Sequence, residues 1–210
     1  MKNFSNFLLG FVDRHLTPSD VREFLLKEYE VLRDSAAGGE LAALTSFLAR
    51  LGWVESESVT EEDLSYSEND INDAISWMER LGSDNVIKGG MAVVGTGMNL
   101  DILDAFDLDM EWVGVQAQRL LQHVESRRLK SLTNFKTEIN AQQIFAERTA
   151  LSVFFSRYAR RHGDLRFINT AFKLNEWLLV DYRRIQGQDL KIRFLLALAE
   201  QENSAKELLA

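Results

Sequence analysis

The pattern of apolar and polar positions is clearest between Ile139 and Ile185, where it predicts two long amphipathic helices joined as a hairpin. The turn falls at His162-Gly163-Asp164. Gly163 suits the left-handed position that follows a helix end, and Asp164 suits the cap of the next helix. Apolar residues of the second helix recur at three- and four-residue steps, as one buried helix face requires. They are Ile168, Ala171, Phe172, Leu178, Leu179 and Tyr182.

The same periodicity predicts helices along most of the chain. The first begins with Thr17 as cap and Pro18 at the first helical position, a combination typical of a helix start. Asp189 is predicted to cap the last helix. The remaining predicted helices are Glu40–Leu51, Ile71–Leu81, Leu100–Phe106 and Leu108–Leu129, and the last runs from Asp189 to about Leu209. Together with a short extended segment near 91–94, they predict an all-α fold, a compact bundle of about seven to nine helices built from αα-hairpins.

The chain is predicted to form a single domain over residues 1–210, with an acidic N-terminal part at 1–54. Residues 55–70 are rich in acids and serine, which predicts a mobile loop because such a segment buries little apolar surface. The central and C-terminal helical core follows at 71–210. The first residues contain too short an apolar run for a signal peptide or a membrane span, and predict a short amphipathic helix. These features favour a cytoplasmic protein without a membrane segment.

The segment from Ser156 to Leu179 has Gly163-Asp164 at its turn and Phe167 three positions after the aspartate. In this it is similar to the αα-hairpins of α/α-toroid glycosidases and epimerases and of helical repeat proteins. A toroid needs several such hairpins, whereas the likeness here covers one. It therefore implies a shared mode of packing, and no catalytic residue is carried over.

Charge is divided unequally along the chain. Residues 1–116 carry 8 Lys/Arg and 22 Asp/Glu, a balance of −14, and residues 117–210 carry 16 Lys/Arg and 10 Asp/Glu, a balance of +6. Such polarity bears on association rather than on fold. It indicates either attraction to a partner or attraction between the two halves of the chain.

Several common chemistries lack their sequence signals. The chain has no cysteine, which excludes disulfides and thiolate chemistry. The three histidines, His15, His123 and His162, form no Glu-x-x-His or His-Glu-x-x-His motif, so no metal site is predicted. Phosphate-loop and serine-nucleophile motifs are also missing, and no cofactor is predicted.

Residues 93–100, Val-Val-Gly-Thr-Gly-Met-Asn-Leu, place Gly95 and Gly97 after a short apolar run. A dinucleotide site would need a third glycine at position 100, which is Leu100. We therefore expect a tight turn between a buried segment and a helix, with a bare anion site at the helix start as the alternative. Asp101 and Asp104 lie three residues apart and could share a face. We expect them to form a solvated, acidic helix start.

Arginines cluster at the end of the first hairpin helix and the start of the second: Arg157, Arg160, Arg161 and Arg166, with His162 between them. Arginine presents a planar fork that suits carboxylates and phosphates. This face is predicted to recognise an acidic surface, although a solvated helix end is the simpler interpretation. Two further clusters are Arg127-Arg128-Lys130 and Arg183-Arg184.

Two hypotheses of function follow. The first is a non-catalytic helical binding or accessory protein that acts through contacts with another protein or with a second copy of itself. The alternative is an enzyme or ligand-binding subunit for a small phosphate- or carboxylate-bearing molecule. Its pocket would combine Asn175, Gly95, Gly97, Asp101 and His123. The molecule would be held by Asn175 together with Arg157 and Arg161. Asn175 lies on an apolar stripe and would need a partner if buried, where it could equally fix helix register. Nucleic acid is disfavoured because the sequence pI is about 5.0.

Overall fold

The computed structural model describes residues 18–34, 39–55, 66–83, 86–88, 91–126 and 138–209. Within them the chain forms eight α-helices, so the predicted all-α fold is confirmed. In chain order, α1 to α8 are Pro18–Arg33, Gly39–Arg50, Glu68–Leu81, Thr96–Ala105, Met110–Glu125, Glu138–His162, Leu165–Asp181 and Gln188–Leu208. A 3₁₀ turn at Tyr182–Arg184 follows α7.

Three predicted features lie wholly or largely outside the described residues. They are the helix before Thr17, the acidic loop at 55–70, of which residues 56–65 are not described, and the cluster Arg127-Arg128-Lys130. The predicted extended segment near 91–94 contains the two-residue strand β2, Met91–Ala92, which pairs antiparallel with β1, Ile87–Lys88. No helix in the described part of the chain is long and apolar enough to cross a membrane.

The predicted hairpin is formed by α6 and α7. Gly163 adopts φ +69°, a backbone conformation that side chains with a Cβ rarely adopt, and its N–H donates to Ala159 O at 2.8 Å. The Asp164 carboxylate accepts the N–H of Arg166 at 3.0 Å, which caps α7. Phe167 then packs on Phe155 and Tyr158, with ring centroids 5.6 Å and 4.6 Å away. Burying one such ring stabilises the fold by about 1.5–3 kcal/mol.

Buried side chains form two clusters, and the three long helices α6, α7 and α8 run through both. One cluster joins them to α3, α4 and α5, and the other joins them to α1 and α2. Phe154 and Phe155 belong to the first, and Phe145 and Phe194 to the second. Helices α6, α7 and α8 therefore connect the two buried clusters. The assignment of the whole chain to one domain stays a prediction.

Three predicted helix starts are corrected. Helix α3 begins at Glu68 rather than Ile71, because Ser67 and Asp70 form a capping box in which each side chain accepts the other's backbone N–H. Helix α4 begins at Thr96, four residues before the predicted start. Asp189 lies in the first turn of α8 instead of capping it, and the cap position belongs to Gly187.

Candidate functional site

The site begins with the contact between the backbones of α4 and α6. A Cβ added to Gly97 would lie 2.4 Å from both Ala150 C and Leu151 N of α6. No side chain fits in that space, so only glycine permits the two helices to approach this closely. The contact directs one face of α4 toward the C-terminal half of α6.

Asp101 and Asp104 lie on that face, one turn apart, and are only 1% and 2% exposed. The expectation that they form a solvated helix start is therefore wrong. Since α4 begins at Thr96, both acids lie beyond its first turn, where the helix dipole no longer explains them. Buried carboxylates need cationic or hydrogen-bonding partners, and α6 supplies them.

Arg157 is the innermost of these partners and is 6% exposed. Its Nη1 donates to Asp101 Oδ2 at 2.6 Å, and its Nε lies 3.3 Å from Glu200 Oε1 of α8. Burial by itself would lower the pKa of the guanidinium, but the charges of Asp101 and Glu200 outweigh burial and raise the pKa. Arg157 thus joins three helices, and the expectation that it belongs to an open arginine face is corrected.

Tyr66, just before α3, adds a hydroxyl group to the network. Its hydroxyl donates to Asp101 Oδ2 at 2.5 Å and accepts from Arg157 Nη1 at 3.2 Å. Burial and the negative charge of Asp101 raise the pKa of Tyr66, so the phenol keeps its proton and serves as a donor.

Arg160 and Arg161 form the outer edge. Arg161 Nη1 donates to Asp101 Oδ1 at 3.1 Å and to Asp104 Oδ2 at 2.6 Å. Arg160 Nη1 lies 3.2 Å from Glu200 Oε1 and 3.7 Å from Glu207 Oε1. In the described part of the chain neither arginine uses its Nε or Nη2 in these contacts, and 28% of the Arg161 side chain is exposed. Each guanidinium is therefore anchored at one nitrogen and keeps further donors.

His162 completes the edge. Its Nε2 lies 2.8 Å from Asp104 Oδ1, and its ring packs on Tyr158 with centroids 4.1 Å apart. An ionised carboxylate only accepts hydrogen bonds, so the proton of this bond belongs to Nε2. Burial, and then the charge of Asp104, raise the pKa of Tyr158. The imidazole is thus fixed in orientation by Asp104 and Tyr158.

Arg166 stands apart from the network. Its guanidinium pairs with Asp164, with Nη2 2.6 Å from Oδ2, on an exposed surface. A hydrogen bond from Arg166 lowers the pKa of Asp164. The predicted arginine cluster is therefore divided into a buried member, two anchored members at the edge, and Arg166 in a local surface pair.

The backbone amides predicted to form an anion site at the start of α4 are present, but a carboxylate of the same chain occupies them. The Glu147 carboxylate of α6 accepts the N–H groups of Gly95 at 2.8 Å and Gly97 at 2.9 Å. Burial raises the pKa of Glu147, and the bonds from Gly97 and Gly95 partly offset that rise. This segment is therefore both the predicted turn and an amide nest that holds an acid of the same chain.

The other predicted pocket residues lie elsewhere. Asn175 is buried between α7 and α8, and its Nδ2 donates to Gln201 Oε1 at 2.7 Å. His123 lies on α5, and its buried Nε2 has no hydrogen-bond partner among the described residues. The structure thus brings Asp101 together with the arginines, and Gly95 with Gly97, but places Asn175 and His123 at separate positions.

The sequence analysis missed three residues of the site. Tyr66 and Glu200 belong to the network around Arg157, and Glu147 binds the backbone amides at the start of α4. The sequence did contain a signal for the burial of Glu200, since it follows the apolar run Leu195–Ala199 and a helical acid in such a run needs a cation.

Three buried carboxylates, Asp101, Asp104 and Glu200, face three arginines, so the network is close to neutral. No group of three or more metal-binding side chains occurs among the residues that the structure describes.

The two halves of the chain meet through this network. Asp101 and Asp104 belong to the acidic half and their arginine partners to the basic half, and Arg193 Nη2 adds a further link to Glu40 Oε1 at 2.7 Å. Attraction within the chain therefore accounts for part of the charge division.

No protein-family model matches the chain, and comparisons with curated proteins and with solved structures found no match either.

Proposed function

We propose that this protein is a non-catalytic, cytoplasmic helical binding protein, and that Arg160, Arg161, His162 and Arg166 recognise an acidic surface on another protein or on a second copy of the chain. The observation that carries the proposal is the geometry of Arg161. Asp101 and Asp104 hold its guanidinium through Nη1 alone, while Nε and Nη2 take no part in contacts among the described residues.

Anchoring favours recognition because an arginine that is already held loses less side-chain freedom when it binds a carboxylate. The acids beneath it have a second effect. They balance its charge, so binding relies on directed hydrogen bonds more than on net attraction. We therefore expect modest affinity and a shallow dependence on salt, in contrast to the steep dependence of nucleic-acid binding.

The test uses a fluorescently labelled hexaglutamate peptide and measures its anisotropy with wild type, Arg161→Gln and Arg193→Gln. Arg193 is the matched control because it is an exposed arginine paired with one acid, Glu40, away from this site. We expect Arg161→Gln to weaken binding about three- to tenfold, the value of one partly exposed charge-assisted contact. Arg193→Gln should bind as wild type does.

Equal affinity of Arg161→Gln and wild type, or no binding by wild type, would contradict the proposal. Thermal unfolding of each variant shows whether it remains folded at the assay temperature.

The alternative, a small anionic substrate held by Arg157, Arg161 and Asn175, has less support. Arg157 is enclosed by Asp101 and Glu200, and Asn175 is bound to Gln201.

A further inference from the structure

An exposed aromatic ring lies at the C-terminal end of α4, close in sequence to Asp104. Phe106 immediately follows α4 and is 44% exposed, although it is a large apolar residue. Its backbone is held, since its N–H donates to Ile102 O at 3.2 Å, and its ring is tilted against Tyr66 with centroids 6.5 Å apart. The ring therefore stands at a defined place on the surface.

Two chains of contacts connect Phe106 to Arg161. The Tyr66 ring packs on Phe106, and the Tyr66 hydroxyl donates to Asp101 Oδ2. The other oxygen of this carboxylate, Oδ1, accepts from Arg161. Asp104, two residues before Phe106, binds Arg161 directly. A fixed apolar surface and the guanidinium with its remaining donors consequently lie at the same end of α4.

A second exposed apolar residue lies at this end of the bundle. Leu165 opens α7 and is largely exposed, three residues after His162. Because His162 bonds to Asp104, the α6–α7 turn lies against the end of α4. Two exposed apolar side chains, one just after α4 and one at the start of α7, thus lie at the same end of the bundle as Arg161 and His162.

We infer that the partner of this site is an acidic peptide segment that also carries a large apolar side chain. Its carboxylate binds Arg161, and its apolar side chain covers Phe106. The inference rests on the proposed function and specifies the partner's chemistry. Hydrogen-bonding complementarity selects the acid, because Arg161 offers donors only and a carboxylate only accepts. The exposed ring selects the apolar group, because covering it removes apolar surface from water.

The test compares three labelled peptides of equal length with the folded, full-length protein. The first is Glu-Glu-Leu-Glu-Glu, the second replaces leucine with serine, and the third replaces every glutamate with glutamine. We expect the first peptide to bind about tenfold more tightly than the second, the gain from burying much of one apolar side chain. The third should bind most weakly.

Phe106→Ser should remove the difference between the first two peptides. Val180→Ser should keep it, because Val180 is an apolar residue of α7 with a comparable exposure, 52% against 44% for Phe106, and it makes none of these contacts. Arg161→Gln should weaken both acidic peptides alike. This pattern would support an acidic and apolar partner segment.

Three results would overturn the inference. Equal affinity for the leucine and serine peptides would show that no apolar group is recognised, while the proposed acidic recognition would stand. A preference that persists in Phe106→Ser would place the apolar contact elsewhere. Self-association of the free protein, abolished by Phe106→Ser in sedimentation velocity, would assign the surface to a second copy. Failure of the proposed function is distinct, since neither acidic peptide would then respond to Arg161→Gln.

Discussion

Arg157 Nη1 lies 2.6 Å from Asp101 Oδ2, and 56 residues separate the two along the chain. Both side chains are buried, and Glu200 meets the same guanidinium from a third helix. The attraction between these buried charges contributes little net stability, but a variant that leaves one of them without a partner is strongly destabilised.

Replacing Arg157 by methionine should therefore be strongly destabilising. The change keeps much of the side-chain volume but leaves Asp101 and Glu200 short of a buried cation. We expect the free energy of unfolding to fall by about 3–5 kcal/mol, measured by urea denaturation. Arg193→Met removes an exposed ion pair and should cost less than about 1 kcal/mol. Similar losses in the two variants would mean that the network contributes little.

This network marks the limit of what the sequence could predict. The hairpin was accessible because each of its signals is local: the apolar period, Gly163 and the Asp164 cap. The partner of Arg157 depends on how α4 crosses α6, which no local pattern encodes. Arg157 therefore looked like part of an open cationic face, and Asp101 like part of a solvated helix start.

The start of α4 shows the same division between local and distant information. Residues 95–97 indicated a tight turn, with an anion site made by backbone amides as the alternative, and both the turn and the amides are present. The anion that occupies them, Glu147, comes from 50 residues further on. This contact could not be inferred, because nothing in the sequence around Glu147 indicates which backbone amides its carboxylate will contact.

Substitution of Gly97 tests the close crossing of α4 and α6. Alanine would place its Cβ 2.4 Å from two backbone atoms of α6, which cannot move aside as a side chain could. We expect Gly97→Ala to cost at least about 1–3 kcal/mol in urea denaturation, as overpacking does. It should also weaken the bonds between Glu147 and the amides.

Gly114→Ala is the matched control for this change. Gly114 lies within α5, and the nearest atom to an added Cβ is Tyr158 Oη at 3.6 Å, an ordinary contact. Alanine is favoured over glycine inside a helix by about 0.8–1.0 kcal/mol, so the control should be neutral or stabilising. A Gly97→Ala protein as stable as Gly114→Ala would refute the tight crossing.

The pair formed by Asn175 and Gln201 should couple α7 to α8. Asn175→Leu leaves the Gln201 amide without its buried partner, which typically costs about 1–3 kcal/mol. Gln201→Leu should act likewise. The double variant leaves neither member of this pair unpartnered, and the hydrogen bond from Gln201 to Glu202 is already lost in the Gln201→Leu single variant. The double variant should therefore lose less stability than the sum of the two single losses. Strict additivity in this double-mutant cycle, measured by urea denaturation, would argue against a specific pairing.

Glu202 should make stability depend on pH near neutrality. Burial raises the pKa of this carboxyl from 4.5 to about 7, against the opposing effect of a hydrogen bond from Gln201. Its Oε1 is buried without a hydrogen-bond partner in the described part of the chain. The folded state therefore holds the proton more tightly than the unfolded state does, and the free energy of unfolding should fall as pH rises through this window.

Glu202→Gln removes that loss because glutamine stays neutral at every pH. The variant should be more stable than wild type at about pH 8, by about 1–2 kcal/mol once partial solvent screening is allowed for. The advantage should shrink as the pH falls and be small at about pH 4, where the carboxyl is protonated in the folded state and mostly protonated in the unfolded state. Glu79→Gln, the same substitution at an exposed acid of α3, serves as the control. If urea denaturation gave Glu202→Gln and wild type the same stability at both pH values, the Glu202 carboxyl would not carry the raised pKa that its burial implies.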